Sequence, residues 1–272
     1  MSDQSPVTNQ VKTIYETTGW ATVGDVTYDA QAFEDLRGAA QSYVSKCRLR
    51  VLKHLPKRGH RLLDMASGPV QYTEYLKYSE GFDTRVCVDL SQRALVMAKF
   101  KLGAHGEYHV GDFLDLSIEQ VDAAISLHTI YHIHKSRQEA AVRKLVSVTK
   151  PGGKIVIVYS NPAYFISALL TPLRKIARLL RPRQNEGETL DTIYFHRYPR
   201  IWWKRFTDLG TIQIHPWRTF GTREQRIFFP DNRLGVAMFS GLFALEDRYP
   251  RFFSAIGLYP MIVITKKIEA HH

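Results

Sequence analysis

The order of apolar and polar segments in the middle of the chain predicts strands that alternate with helices. Five short apolar runs predict strands, in chain order at 61–66, 84–90, 107–110, 122–127 and 154–160. The spacing of apolar residues between these runs predicts helices at 70–79, 92–102 and 137–148. Apolar strands separated by helices are typical of βαβ units, in which right-handed crossovers place helices on both faces of a parallel sheet.

The flanking segments follow a different pattern. Residues 1–60 are predicted to be mostly helical, since an apolar stripe at helical spacing stops before Pro56 and Gly59. An amphipathic segment at 165–181 follows the fifth strand, and its polar face is basic: Arg174, Lys175, Arg178 and Arg181. The remaining elements are predicted to be a loop at 182–198, helices at 201–209 and 234–248, and strands at 211–220 and 261–267.

These elements predict a single α/β domain over residues 1–272. Its expected fold is a Rossmann-like, doubly wound, mostly parallel sheet of seven strands, with a helical N-terminal segment and a lid insertion. The predicted parts are an N-terminal cap at 1–60, a cofactor-binding core at 61–160, and lid or acceptor-binding insertions at 161–210 and 221–259.

Charge is concentrated in the C-terminal part of the chain. The net charge is +11, and residues 161–272 hold 17 Lys and Arg against 9 Asp and Glu. This asymmetry indicates either a solvated basic surface or an anionic partner, such as an acidic small molecule, a membrane surface or nucleic acid. Cys47 and Cys87 are the only cysteines, which argues against a disulfide framework and a cysteine-based zinc site. The sequence shows no secretory signal and no apolar run of membrane-spanning length, so a cytoplasmic location is expected.

Candidate ligand-binding residues follow the strands, because a doubly wound sheet binds its ligand at the carboxyl ends of its strands. After the first strand comes Asp64, and then the small residues Ala66, Ser67 and Gly68 would let the backbone approach a ligand closely. Asp89 ends the second strand and is placed to accept hydrogen bonds from two ribose hydroxyls.

Four further residues are expected at the same edge of the sheet. After the third strand, Asp112 can accept a hydrogen bond from an exocyclic amine, and the ring of Phe113 can cover a flat base. Leu90 follows the second strand and Leu127 ends the fourth, so both are predicted to line the cofactor site.

Five segments occur in the order and spacing of a known family: LLDMASGP, VCVDLS, GDFLDL, VDAAISLHTIYHIHK and VTKPGGKIVIV. Over roughly residues 60–160 the chain resembles a class I S-adenosylmethionine-dependent methyltransferase of the type 11 family. The resemblance implies S-adenosylmethionine as the cofactor and S-adenosylhomocysteine as its product. One departure is Ala66, which stands where the family usually has its first glycine. A loop with the single glycine Gly68 also argues against a dinucleotide, whose pyrophosphate needs a glycine-rich turn.

Three histidines, His128, His132 and His134, follow the fourth strand, which the resemblance places beside the transferred methyl group. Methyl transfer from a sulfonium depends mainly on alignment of the acceptor, and a hydroxyl acceptor also needs a general base. His128 is the first candidate base, with an unperturbed pKa near about 6.5, and His132 is the second. For each histidine the alternative is a packing role. Predicted acceptor contacts are Tyr15, Trp20, Tyr194, His196 and Arg197.

The leading functional hypothesis is methyl transfer to a hydroxyl or amine of a small molecule, which could be anionic. Two alternatives stay open: a lipid or quinone methyltransferase at a membrane surface, and a non-catalytic binding protein on the same fold. No nucleic-acid-binding module is recognisable, and the histidines lack acidic neighbours in the sequence. Neither a nucleic-acid partner nor a metal site is therefore expected.

Overall fold

A seven-stranded sheet forms the centre of the protein. The computed structural model describes residues 6–17, 19–23, 26–29, 34–166 and 193–268, without the side chains of 21–29. The strands of the sheet are β3 Gly59–Met65, β4 Phe82–Asp89, β5 Gly106–Val110, β6 Val121–Leu127, β7 Thr149–Val158, β8 Gly210–Arg218 and β9 Tyr259–Lys266. Their spatial order is β5-β4-β3-β6-β7-β9-β8, and β9 runs in the opposite direction to the other six strands. The predicted mostly parallel, doubly wound sheet is confirmed.

The central strands are apolar because both of their faces are covered. In β7 the run from Ile155 to Val158 is fully buried, and β6 is buried from Ala123 to Ile125. Continuous burial of this kind is typical of strands with helices on both faces. The sequence therefore specifies the centre of the sheet by uninterrupted apolar runs.

The helices are α1 Pro6–Thr17, α2 Gly38–Leu49, α3 Thr73–Leu76, α4 Gln92–Leu102, α5 Lys135–Val148, α6 Thr222–Phe228, α7 Arg233–Arg248 and α8 Pro250–Ile256. The helix predicted at 92–102 has the predicted bounds, and Ser91 caps it by accepting a hydrogen bond from the N–H of Ala94. The helix predicted at 70–79 is shorter, because it consists of α3 and a 3-10 turn at Lys77–Ser79. The segment predicted as a helix at 201–209 is a 3-10 helix at Arg200–Phe206.

The N-terminal cap differs from the prediction of a mostly helical segment. Between α1 and α2 lies an antiparallel hairpin of β1 Trp20–Val23 and β2 Val26–Asp29. The sequence WATV-GD-VTYD carries the signal for it, because aromatic and β-branched residues flank a Gly-Asp pair. The helical periodicity on either side concealed this short signal.

Buried charges join the C-terminal helices to the N-terminal cap. The carboxylate of Glu246 on α7 accepts hydrogen bonds from the Tyr43 hydroxyl of α2 at 2.8 Å and from Arg50 at 2.8 Å. It also accepts from the N–H of Thr219 at 3.0 Å, directly after β8. Phe229 and Phe239 stack beside this network with ring centroids 4.2 Å apart. These contacts fix the end of β8 relative to α2.

The sheet topology brings several strand ends to one edge. Because β8 and β9 are antiparallel, as are β7 and β9, β8 runs parallel to the central strands. The carboxyl ends of β3, β4, β6 and β8 therefore meet the amino end of β9. Strand order reverses between β3 and β6, and in doubly wound sheets the ligand crevice lies at this switch point.

The amphipathic segment predicted at 165–181 lies almost wholly outside the described residues, as do Arg174, Lys175, Arg178 and Arg181. Within the part of the chain that the structure describes, no helix has the length and apolar character needed to cross a bilayer.

Candidate functional site

The loop after β3 has an unusual backbone conformation. Ala66, Gly68 and Val70 have φ angles of 56°, 55° and 49°, in the left-handed region that favours glycine. Ala66 thus adopts the conformation for which a glycine is suited, although it carries a Cβ. Ala66 thus differs from the family pattern in its side chain, whereas its backbone has the left-handed conformation.

Asp89 at the end of β4 holds this loop in place. Its Oδ2 accepts a hydrogen bond from the N–H of Gly68 at 2.8 Å, and its Oδ1 accepts from the N–H of Ser91 at 2.8 Å. Burial raises the pKa of the carboxyl to about 6, while the two N–H donors oppose that rise. Each oxygen retains lone-pair capacity for a further donor, as a ribose diol would supply.

Two aromatic residues of the N-terminal cap lie beside the loop. A Cβ at Gly68 would stand 2.8 Å from the Trp20 ring, so only glycine fits beneath that indole. Tyr15 packs on Trp20 with ring centroids 5.0 Å apart. The buried indole N–H of Trp20 has no acceptor among the described residues. The Trp20 ring therefore packs directly on the loop and carries a buried donor that could bind a polar ligand.

Asp64 braces the sheet below the loop. Its Oδ2 accepts hydrogen bonds from the guanidinium of Arg85, with Nε at 3.1 Å, and both side chains are buried. Arg85 also donates to the carbonyl of Tyr75. The ion pair joins β3 to β4. The carboxylate of Asp64 therefore helps to fix the position of the loop that follows β3.

The residues after β5 are divided between two environments. Asp112 accepts a hydrogen bond from Arg137 at 2.8 Å and another from the N–H of Leu114 at 2.9 Å. The side chain of Phe113 is buried in the main core, where Lys144 lies over its ring at 5.1 Å. The ring therefore packs in the core, and its expected contact with a base stays a prediction. Leu90 and Leu127 are half-buried at the ends of their strands.

His128 follows β6 at the switch point and has a φ of 61°. Its ring lies between Trp217 and Tyr259, with centroid distances of 4.6 and 4.7 Å, and its Nδ1 is 3.2 Å from the Tyr131 hydroxyl. Burial lowers the pKa of this imidazole to about 3, and the charge of Arg218 lowers it further than Glu34 raises it. His128 is thus a neutral imidazole in a locally positive field.

His132 lies one short turn further, in the 3-10 turn Ile130–His132. Its Nδ1 is 2.9 Å from the carbonyl oxygen of Tyr194, which only accepts, so Nδ1 carries the proton. Burial lowers the pKa of His132 to about 4, although this hydrogen bond opposes the shift. In the neutral ring Nε2 therefore has the free lone pair. Tyr131 and Phe195 contact the ring at 4.6 and 5.5 Å between centroids.

The predicted acceptor contacts in the insertion surround His132. Tyr194 provides that carbonyl, and its hydroxyl accepts from the N–H of Lys135 at 3.1 Å. The N–H of His196 donates to the carbonyl of Tyr131 at 2.8 Å, and Arg197 lies over Phe195 at 5.0 Å. These contacts hold the returning chain against the segment after β6.

A cluster of charged and aromatic residues beside His128 escaped the sequence analysis. Arg218, at the end of β8, donates to Glu34 at 3.0 Å and lies over Trp217 and Tyr259 at 5.0 and 5.3 Å. Arg48 of α2 also donates to Glu34. The rule that ligands meet strand ends could have indicated Trp217 and Arg218. Glu34 had no local signal, because only the tertiary fold brings it to this edge.

Comparison with known proteins identifies the core of the chain. Residues 63–157 match the family model described as a methyltransferase domain. The match covers about a third of the chain and carries the predicted resemblance to the type 11 family. It supports the prediction for this domain, with S-adenosylmethionine as its cofactor. No curated protein sequence matches the chain.

Several solved structures share the fold at low sequence identity. DhpI in complex with SAH is 14% identical, with a TM-score of 0.58 over 97% of this chain and 98% of that one. A DhpI-SAM-HEP complex is 15% identical, with a TM-score of 0.51 over 82% and 86% of the two chains. A SAM-dependent methyltransferase from Archaeoglobus fulgidus is 16% identical, with a TM-score of 0.50 over 84% and 94%. These matches show that the methyltransferase fold extends beyond the matched domain.

The conformation of Ala66 leads to a stability prediction. Ala66→Gly should raise the free energy of unfolding by about 1 kcal/mol, because a left-handed conformation costs an alanine about that amount. Urea unfolding measures the change. Ser67→Gly is the matched control: it lies in the same loop without a positive φ and should be neutral or destabilising. Equal effects of the two substitutions would contradict the assignment of strain.

Proposed function

We propose that the protein transfers a methyl group from S-adenosylmethionine to a hydroxyl or amine of a small molecule. The observation that carries this proposal is the placement of the Asp89-held loop and of His128 on the two sides of the switch point, after β3 and β6. The left-handed conformation of Ala66 favours a catalytic protein over a non-catalytic binding protein, because the loop keeps its turn although the glycine is replaced. A cytoplasmic location stays an expectation from the sequence.

The residues on the β3 side of the switch point would bind the cofactor. Asp89 would accept from the ribose, and the backbone of Ala66 to Gly68 would approach the amino-acid tail. Trp20 would cover the bound molecule and exclude water. When bound, S-adenosylmethionine supplies an electrophilic methyl group on a positively charged sulfur.

The residues on the β6 side of the switch point would act on the methyl acceptor. A neutral imidazole can accept the proton that a hydroxyl loses during transfer. His128 meets this requirement next to the strand end, with Tyr131 to orient its ring. The Nδ1–H of His132 donates to the carbonyl of Tyr194 and so holds the insertion next to His128. We infer that His128 is the base for a hydroxyl acceptor and that His132 orients the insertion.

Asp89→Asn should weaken S-adenosylmethionine binding about ten- to a hundredfold, since a charged acceptor of hydrogen bonds is lost. The wild-type affinity should fall as pH decreases through about 6, because protonation removes the ionised form of Asp89. Calorimetry at several pH values measures both effects. Asp83→Asn, at the exposed start of β4, is the control and should bind normally at every pH. A pH-independent wild-type affinity would refute the role of Asp89.

His128→Asn should lower turnover about a hundred- to ten thousandfold, with little change in cofactor affinity. Asparagine tolerates the positive φ of this position, so the backbone should be retained. At saturating cofactor and hydroxyl acceptor, wild-type turnover should not fall near pH 6.5, because burial places the pKa of His128 at about 3. This profile replaces the expectation of a titration at the unperturbed value. His134→Asn is the control, and normal turnover of His128→Asn would move the base to His132.

A lipid acceptor is the second candidate, and the surface of α7 favours it. Leu234, Met238 and Leu245 are exposed on one side of this helix, with the exposed Arg233 and Arg248 at its ends. Apolar side chains flanked by arginines suit an anionic bilayer surface.

This candidate predicts that the protein sediments with phosphatidylglycerol vesicles at low salt and is released by added salt. Leu245→Glu should abolish the binding, whereas Phe100→Glu, at a 93% exposed position on α4, should not. Absence of vesicle binding by the wild type at low salt excludes the lipid candidate.

A further inference from the structure

Two buried N–H donors beside His128 lack acceptors. They are Nε of Arg218 and the indole Nε1 of Trp217, on residues that are 7% and 2% exposed. Neither atom has a hydrogen-bond partner among the described residues. An unsatisfied buried donor costs free energy, so native proteins pair such groups with protein, with ordered water or with a ligand.

The two side chains that carry these donors are adjacent to each other and to the ring of the proposed base. The guanidinium of Arg218 lies 5.0 Å from the Trp217 ring, whose centroid is 4.6 Å from that of His128. Glu34 accepts from Nη1 of Arg218 at 3.0 Å, which leaves the edge that presents Nε without a carboxylate. Arginine binds oxyanions with high geometric specificity through its planar edges.

The electrostatic environment favours an anion at this position. Arg218 and Arg48 share the carboxylate of Glu34, and Arg48 also donates to Glu74 at 3.2 Å. Although the four charges balance, the field at His128 is dominated by Arg218, which outweighs Glu34 in lowering the histidine pKa. The carboxylates therefore do not cancel the positive field on the acceptor side.

We propose that Arg218 and the indole N–H of Trp217 bind an oxyanion of the methyl acceptor, a carboxylate or a phosphoryl group, and so place the acceptor beside His128. This assignment rests on the proposed function, because it takes the side of His128 as the acceptor side. It makes Arg218 and Trp217 residues that determine specificity. A bound oxyanion would also offset the charge of Arg218 and make His128 a stronger base.

The test titrates inorganic phosphate and, separately, acetate into the protein saturated with S-adenosylhomocysteine, at constant ionic strength. The four tryptophans allow the indole N–H signals to be followed by NMR, and Trp217→Phe assigns the Trp217 signal by its loss. We expect that signal to move with saturation at tens of millimolar anion while those of Trp202 and Trp203 stay unchanged. The anion that binds more tightly identifies the group as phosphoryl or carboxylate.

Two variants should weaken anion binding without removing the partner of Glu34. Arg218→Lys keeps the charge but loses the planar edge, and Trp217→Phe keeps an aromatic ring but loses the donor; each should weaken binding about tenfold or more. Because Trp217→Phe lacks the indole signal, binding to this variant is followed through the ring signals of His128, which lies beside residue 217. Arg143→Gln, which removes a surface arginine on α5, is the control and should bind as the wild type does.

The outcomes separate this proposal from the proposed function. Failure to bind S-adenosylhomocysteine would overturn the proposed function itself. Normal S-adenosylhomocysteine binding without a shift of the Trp217 signal would overturn only the oxyanion site. Anion binding that is unchanged in Arg218→Lys and Trp217→Phe would also overturn it, because the anion would then bind elsewhere.

Discussion

The hydrogen bond from the N–H of Gly68 to the carboxylate of Asp89 is the contact on which the cofactor side of the site depends. It connects the loop after β3 to the end of β4 and keeps that loop in a conformation with three positive φ angles. The conformation lets the Trp20 ring pack directly on the backbone of the loop, because Gly68 has no side chain. Loss of the carboxylate would therefore affect the shape of the loop as well as its charge.

Burial of the Asp89 carboxylate favours the binding of a ligand that donates hydrogen bonds to it. Burial disfavours its ionised form, and two backbone donors compensate for only part of that penalty. Hydroxyl groups from a ribose would supply the missing donors and stabilise the ionised carboxylate. On the proposed function, cofactor binding and ionisation of Asp89 would therefore be coupled.

The acceptor side depends on a different physical arrangement, a buried arginine next to an aromatic enclosure. Arg218 is paired with Glu34 and lies over Trp217 and Tyr259, so the charge is held away from water. Burial and the field of Arg218 lower the pKa of His128 to about 3, so the ring is neutral but weakly basic. On the proposed function, an oxyanion of the acceptor beside Arg218 would strengthen this base, so the same arrangement would serve proton transfer and acceptor binding. Desolvation of the charged cluster is costly, so its buried ion pairs are weak evidence of a contribution to stability.

Local sequence determined the central strands, the helix at Gln92–Leu102 and the positions of Asp89 and His128, because apolar runs, caps and strand ends are encoded by neighbouring residues. It did not determine the hairpin at residues 20–29, whose short signal lies between helical patterns. Nor did it place the Phe113 ring, because the choice between core and site depends on what packs over the strand. Only the tertiary structure brought Glu34, Arg48, Arg218 and Tyr259 to one edge. That meeting follows from the antiparallel insertion of β9 and from packing between residues distant in sequence, which no local pattern records.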